Sequence, residues 1–181
     1  VDQMARYGTD QRDYFSVEVV GDEVFAHGGN DRIDNKAAGT TLVGGAGDDE
    51  YRLYDPDTTI VEDPDGGHDK ILSWKLTTLP ENVEDLSYRR ASGWAALRGN
   101  DLDNTITAGN GTQSFAGHGG DDTLTGGAGA DAFLSTGGDG HDVITDFEPG
   151  VDRLDIWDAG LDFAGLLAAS EDTGTGLVLH L

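Results

Sequence analysis

Large apolar side chains recur at intervals of nine residues near the start of the chain. Counting back from Tyr51, every ninth position is apolar, and the residue two positions earlier is Asp in four of five cases. The apolar positions are Phe15, Val24, Ile33, Leu42 and Tyr51, and the preceding polar positions are Asp13, Asp22, Asp31, Thr40 and Asp49. Neither a helix nor a strand has a nine-residue period, so the pattern predicts a repeated unit of one short strand and one turn.

A second block follows the same period before Phe133. Its apolar positions are Leu97, Ile106, Phe115, Leu124 and Phe133, and its polar column is Ala95, Asn104, Gln113, Asp122 and Asp131. A further copy at residues 137–145 carries Asp142. Between the blocks the period is degenerate: Asp69 lies in a copy shifted by two residues, and Leu79 and Tyr88 follow at steps of nearly nine.

These patterns predict one continuous all-β roll over residues 1–156, followed by a capping segment. The roll comprises a repeat block at 8–52, a degenerate middle at 53–96 and a second repeat block at 97–156. Residues 161–169 have a short helical apolar pattern, and 176–181 resemble a strand that ends abruptly. We expect residues 157–181 to cover the open apolar end that a repeat array otherwise exposes.

Two copies, residues 44–52 and 126–134, read G-G-x-G-x-D-x-U-x, where U is a large apolar residue. Glycine adopts positive φ without strain and lets two backbones approach closely. We therefore expect tight turns at Gly45 and Gly47, and again at Gly127 and Gly129. Three residues around U form a short strand with U pointing inward, and the other six form the turn.

Two nine-residue halves make one coil, so turns on the same edge are separated by two repeats of the sequence. Stacked strands lie roughly 4.8 Å apart, and carboxylates that close repel each other unless a cation lies between them. Calcium takes six to eight oxygen ligands, which Asp side chains and turn carbonyls can supply. The spacing predicts good sites at Asp13/Asp31, Asp31/Asp49, Asn104/Asp122 and Asp122/Asp142, weak ones at Gln113/Asp131 and Asp22/Thr40, and an extension of the first edge at Asp69.

The copies at residues 44–52, 117–125, 126–134 and 137–145 resemble the hemolysin-type calcium-binding repeats of RTX proteins. The segment from Asp142 to Phe147, with Gly150, Asp152 and Leu154, is similar to the end of serralysin-type C-terminal domains. This resemblance implies a parallel β-roll that binds several Ca²⁺ ions, with Asp152 among the ligands. It also implies a type I secreted, extracellular or cell-surface protein of a Gram-negative bacterium that folds on meeting external calcium.

Composition narrows the possible partners. The chain has 35 acidic and 11 basic residues and a formal net charge of −24, so nucleic acid is not an expected partner. It has no cysteine, and it has no run of about 18 apolar residues that could span a membrane. The chain begins without a signal peptide or an initiator Met, which indicates a fragment of a longer protein.

The degenerate middle suggests a second function. Basic residues concentrate there beside aromatic ones, and such pairs can stack on sugar rings and bind uronate carboxylates. The candidate ligand-binding residues are Trp74, Tyr88, Arg89, Arg90 and Trp94. An acidic polysaccharide is thus an alternative partner, and the competing interpretation is that these aromatics only pack the middle of the roll.

The sequence contains no recognisable catalytic motif. H-E-x-x-H and G-x-S-x-G are absent, there is no Cys nucleophile, and acidic pairs are too abundant to single out a glycosidase pair. We therefore expect a calcium-binding folding and secretion module, not itself an enzyme, or an accessory domain of a larger secreted enzyme.

Overall fold

The computed structural model describes residues 4–54, 57–75, 78–90, 93–136 and 140–157, and the backbone of two further strands at 170–172 and 177–179. Throughout this part of the chain the regular structure is β and no helix occurs. The chain divides into two compact units, Val1–Tyr88 and Arg89–Leu181. The prediction of an all-β solenoid of parallel strands is confirmed.

Unit 1 contains nine strands in two parallel sheets. One sheet has the order β1-β3-β5-β7, and the other contains β2, β4, β6, β8 and β9 as successive neighbours. The strands are β1 Ala5–Tyr7, β2 Tyr14–Val17, β3 Glu23–Phe25, β4 Arg32–Asn35, β5 Thr40–Val43, β6 Glu50–Leu53, β7 Thr58–Val61, β8 Lys70–Ser73 and β9 Asp85–Tyr88. Consecutive strands up to β8 alternate between the sheets, as a two-sided coil requires.

Unit 2 repeats this arrangement with strands β10 to β18. One sheet has the order β10-β12-β14-β16, while β11, β13 and β15 are parallel neighbours in the other. The strands are β10 Trp94–Arg98, β11 Thr105–Thr107, β12 Thr112–Ala116, β13 Thr123–Thr125, β14 Ala132–Thr136, β15 Val143–Ile144, β16 Arg153–Trp157, β17 Ser170–Asp172 and β18 Leu177–Leu179.

The apolar column of the sequence forms the core of each unit. Phe15 pairs with Ile33 and Ile33 pairs with Tyr51, each two repeats later, and Ile33 and Tyr51 are fully buried. Phe115 and Phe133 stack at 4.9 Å in the core of unit 2. Side chains of a strand alternate between faces, so one inward residue per short strand is enough to define the interior.

The degenerate middle departs from the nine-residue period in a specific way. Ile71 pairs with Tyr51 but lies two positions beyond the place that two repeats would give it. The residue that pairs with Ile71 is Leu86, not Leu79 or Tyr88, and it comes three positions earlier than two repeats would place it. The coil shortens because β8 and β9 are sequential neighbours in one sheet, with no strand of the other sheet described between them.

At the C-terminal end of unit 2 the strand direction changes. β18 pairs antiparallel with β15 and with β17, unlike every other described pair of that sheet. Residues 158–169, 173–176 and 180–181 lie outside the described part, including the predicted helical pattern at 161–169. The boundaries proposed at 1–156 and 157–181, and the capping role, stay predictions.

Candidate functional site

The polar column of unit 1 forms a hydrogen-bonded ladder along one edge. The backbone N–H of Asp13 donates to Oδ1 of Asp31 at 2.6 Å, and that of Asp31 donates to Oδ1 of Asp49 at 2.7 Å. The ladder continues from Asp49 N–H to Asp69 Oδ1 at 2.8 Å, and from Asp69 N–H to Glu84 Oε2 at 2.7 Å. Each carboxylate thus joins two successive coils, in the order that the spacing predicts.

Unit 2 carries two shorter ladders of the same kind. On one edge Asn104 N–H donates to Asp122 Oδ1 at 2.8 Å, and Asp122 N–H donates to Asp142 Oδ1 at 3.1 Å. On the other edge Gln113 N–H donates to Asp131 Oδ1 at 2.7 Å, and Asp131 N–H donates to Asp152 Oδ1 at 2.9 Å. The stacking of Asp131 on Asp152 is a neighbour relation that the spacing argument did not predict.

The second carboxylate oxygen divides the turns into two classes. In closed turns, the second residue of the turn donates its N–H to the side chain of the sixth: Thr9 to Asp13 at 2.6 Å, Asn100 to Asn104 at 2.8 Å, and Glu148 to Asp152 at 2.8 Å. In open turns, Oδ2 of the sixth residue is buried and has no hydrogen-bond partner. The open-turn residues are Asp31, Asp49, Asp69, Asp122 and Asp131.

For most turns the class agrees with the place in the ladder; Gln113 is an exception, because it begins a ladder but its Oε1 is buried without a partner. Asp13 and Asn104 begin their ladders and Asp152 ends its own, and all three belong to closed turns. The open turns lie between two stacked neighbours. A buried polar atom without a partner carries a desolvation cost of about 1–3 kcal/mol, more if charged, so each open turn carries such a cost. A cation would satisfy these oxygens.

Glycine is required where one turn stacks on the next. Gly129 has φ 148°, and a Cβ there would overlap the backbone oxygen of Gly111 in the preceding coil. Gly47 has φ 127° and makes the equivalent approach to Gly29. His27 and His118 occupy the position of Gly45 and Gly127, and both adopt left-handed backbone with φ 75° and 77°. These histidines therefore hold turn positions.

Burial shifts the carboxylate pKa values upward. Desolvation is the main cause, and it raises the pKa of Asp49 to about 6 and those of Asp69 and Asp122 to about 7. The ladder N–H groups oppose the shift by stabilising the charged form. A divalent cation would reverse this balance, because it favours the ionised carboxylate.

Three buried acids converge around one open turn of unit 1. One ligand oxygen from each of Asp49, Glu62 and Asp69 lies within 4.8 Å of the other two. The exposed fractions of the three residues are 2%, 6% and 1%. Carboxylate oxygens are the ligands that hard divalent cations prefer, so this acidic cluster could bind a metal ion.

The opposite edge of unit 1 solves the same stacking problem without carboxylate pairs. Asp22 is fully buried, but its Oδ2 forms an ion pair with Arg6 at 3.0 Å. Asn35 Nδ2 donates to the hydroxyls of Thr40 at 2.7 Å and Thr58 at 2.8 Å. On this edge a guanidinium pairs with Asp22, and amide and hydroxyl groups join the turns; the weak ranking of Asp22/Thr40 as a calcium site stays a prediction.

Two acidic residues of this region were missed in the sequence. Glu84 lies two residues before the inward Leu86, just as each Asp of the polar column lies two residues before an inward apolar residue. The same spacing therefore identifies Glu84 when Leu86, and not Tyr88, is taken as the inward residue. Glu62 follows β7 and obeys no such rule. No sequence signal indicated that its side chain reaches the turn at Gly45, whose N–H it accepts at 3.1 Å.

The candidate sugar-binding residues differ in how far their side chains are exposed to solvent. Trp94 is 68% exposed, and Arg90, which is also exposed, lies against Gly93 beside it. Trp74 is half-buried and stacks on Tyr54 at 4.5 Å and 11°. Tyr88 is only 4% exposed, so its ring packs the core and is not available to a sugar. Arg89 is exposed.

Comparison with known proteins identifies two relatives from Rhizobium meliloti (strain 1021). Endo-1,3-1,4-beta-glycanase ExsH is 44% identical over 170 residues, covering 93% of this chain and 36% of the relative. Endo-1,3-1,4-beta-glycanase EglC is 37% identical over 104 residues, covering 57% of this chain and 22% of the relative. The chain thus matches only a minor part of the length of each relative. No family model matches the chain.

These relatives correct one prediction from the sequence. We expected a chain that is not an enzyme, or an accessory domain of a larger secreted enzyme; both relatives are named as endo-1,3-1,4-beta-glycanases, and this finding overturns the expectation that the chain is unrelated to an enzyme. The error arose because the repeated turns dominate the sequence pattern, while the chemistry of a larger protein need not leave a motif in every segment.

In the described residues, no helix is long and apolar enough to cross a membrane.

Proposed function

We propose that this chain is the β-solenoid portion of a secreted protein that acts on β-1,3-1,4-linked polysaccharide, and that it contacts the polymer. The observation that carries the proposal is the 44% identity to a glycanase across 93% of the chain. The exposed aromatic surfaces fit this role, because indole rings stack on the apolar faces of sugars. The geometry favours Trp94 with Arg90, and separately the stacked Tyr54–Trp74 pair.

Affinity electrophoresis through a gel containing mixed-linkage β-1,3-1,4-glucan tests the contact. We expect the chain to be retarded, and Trp94→Ala to migrate faster than the native chain. Trp157→Ala is the matched control. Trp157 is similarly exposed, at 65%, but the arginine of its strand, Arg153, is already paired with Asp155 at 2.7 Å. Equal migration in gels with and without glucan contradicts the proposal. Release of reducing ends from the same glucan measures whether this portion also contributes to hydrolysis.

We further propose that the open turns bind calcium and that the solenoid folds as it binds. The supporting observation is the set of buried Oδ2 atoms without partners at Asp31, Asp49, Asp69, Asp122 and Asp131. With a formal net charge of −24, the metal-free chain repels itself, and metal binding supplies folding free energy directly. The resemblance to RTX repeats implies type I secretion. A chain of this kind would fold only when it meets external calcium.

Calcium titration followed by far-UV circular dichroism tests this second role. We expect the β signal to increase with calcium and to be lost in excess chelator. A chain that is equally β-rich in chelator would contradict calcium-driven folding. That result would not affect the glucan proposal, which the electrophoresis tests separately.

A further inference from the structure

The acidic cluster in unit 1 contains ligands that lie outside the repeat motif. Asp49 and Asp69 are the sixth residues of stacked open turns, whereas Glu62 is the residue that directly follows β7. The hydroxyl of Tyr51, the inward residue of the turn motif, donates to Glu62 Oε1. A glutamate at the start of a turn and an inward phenol thus join two ladder residues.

Both side-chain oxygens of Glu62 are engaged in hydrogen bonds. Its Oε1 accepts from Tyr51 and its Oε2 accepts from Gly45 N–H at 3.1 Å, so both oxygens act as acceptors. Among the residues the structure describes, no Lys, Arg or His forms an ion pair with Glu62, Asp49 or Asp69. Buried carboxylates without a countercharge are strongly unfavourable. The cluster therefore lacks positive charge.

Two further observations point to a ligand in this place. Oδ2 of Asp49 and Oδ2 of Asp69 are buried and have no hydrogen-bond partner, although the residues are 2% and 1% exposed. Gly44 has no side chain, and a Cβ built on it would meet Asp49 Oδ2, Glu62 Oε1 and the Tyr51 hydroxyl. Three oxygens thus converge on the backbone of Gly44, so closely that only glycine fits there.

We propose that Asp49, Glu62 and Asp69, with the phenol oxygen of Tyr51, form a calcium site that is the tightest in the chain. The proposal rests on calcium binding by the open turns and goes beyond it, because the third carboxylate has no counterpart in the motif. Three carboxylates around one ion leave a net charge of −1, whereas a pair of Asp residues only neutralises it. Affinity for Ca²⁺ rises with ligand charge and site rigidity.

Isothermal titration of the chain with Ca²⁺ tests the site. We expect Glu62→Gln, which keeps the shape of the side chain, to remove the tightest equivalent or weaken it at least tenfold. Asp131→Asn is the matched comparison, because it alters an open turn of unit 2 whose acidic side chains, among the described residues, do not converge within 4.8 Å as those of Asp49, Glu62 and Asp69 do, and it should leave the tightest equivalent in place. Circular dichroism in excess calcium establishes that each variant is folded.

Terbium luminescence supplies an independent measurement. A lanthanide held beside Tyr51 should be sensitised by excitation of that ring, and Tyr51→Phe should lower the emission of the first equivalent while all carboxylates remain. This variant also carries the test if Glu62→Gln does not fold. If the native chain binds Ca²⁺ and Glu62→Gln gives the same isotherm, the proposed site is wrong. Unchanged emission in Tyr51→Phe also contradicts the site. Neither result contradicts calcium binding by the open turns. A native chain that binds no Ca²⁺ overturns both the site and calcium binding by the turns.

Discussion

The backbone N–H of Asp31 donates to Oδ1 of Asp49, two repeats later, at 2.7 Å, while Oδ2 of each residue is buried without a partner. One oxygen therefore fixes the stacking of the coils and the other remains for a cation. Because Asp31 lies between Asp13 and Asp49 in the ladder, it belongs to two stacked pairs of turns.

Replacing Asp31 should weaken calcium binding more than replacing Asp22. Asp31→Ala removes an oxygen from two adjacent pairs, so we expect it to affect about two calcium equivalents and to lower the calcium-dependent gain in stability. Asp22→Ala removes an ion pair to Arg6 and should lower stability similarly with and without calcium. Calcium titrations of both variants provide the measurement. Equal effects on calcium binding would refute the assignment of the two edges.

Adding a methyl group at Gly129 should destabilise unit 2 by more than about 2 kcal/mol, because the position combines positive φ with backbone overlap. Gly109→Ala is the matched control: nothing lies within 4 Å of its Cβ position, and we expect a change of about 1 kcal/mol or less. Denaturant unfolding in calcium compares the two. Similar losses would show that stacking does not select glycine here.

The metal-free chain should lose stability as the pH rises from about 4 to about 8. Folding raises the pKa of Asp49 to about 6, of Asp122 to about 7 and of Glu62 to about 8, so the folded state binds more protons than the unfolded state across that window. The stabilisation is complete below the unfolded pKa values and is lost as the pH rises through the folded ones.

Unfolding temperatures in chelator, measured from pH 5 to pH 8, provide the test. Asp122→Asn should flatten the slope, because its amide does not titrate. Saturating calcium should oppose the trend, since metal binding requires ionised carboxylates. A chelated chain that gains stability over this range would contradict the account of the buried acids.

Asn35 should stabilise unit 1 independently of calcium. Its side chain donates to Thr40 and Thr58, and its Oδ1 accepts from Ala37 N–H at 3.1 Å. We expect Asn35→Ala to cost about 2–4 kcal/mol, since it removes the hydrogen bonds that Asn35 makes with the buried Thr40 hydroxyl and the buried Ala37 N–H. Lys36→Ala, which removes an exposed ion pair to Glu18, should cost much less, because solvent screens that pair. The loss of stability in Asn35→Ala should be equal in calcium and in chelator. A loss of stability confined to calcium would contradict this role.

The nine-residue period predicted the parts of the structure that the chain repeats. It placed Asp31 beside Asp49 and Asp122 beside Asp142, because a fixed coil length converts sequence distance into stacking. It failed where the coil length changes, as between Ile71 and Leu86. Glu62 could not be found this way, because it follows β7 and lies in neither the apolar nor the acidic column of the period.

The function was less visible than the fold. Trp94 is exposed as a sugar-binding residue must be, but Tyr88 has similar sequence surroundings and is buried. Whether an aromatic side chain faces solvent depends on the local phase of the strand, and the phase of the degenerate middle differs from the nine-residue rule. Glycan binding and calcium binding are proposals with separate tests.

The most direct test of the account is the unfolding temperature of the chain at neutral pH in saturating calcium and in excess chelator. A single site filled at 100 times its dissociation constant contributes about 2.7 kcal/mol, and several open turns would contribute more. We therefore predict a rise of at least about 10 °C in calcium. The same unfolding temperature in both conditions would contradict the claim that the buried oxygens of the open turns hold cations.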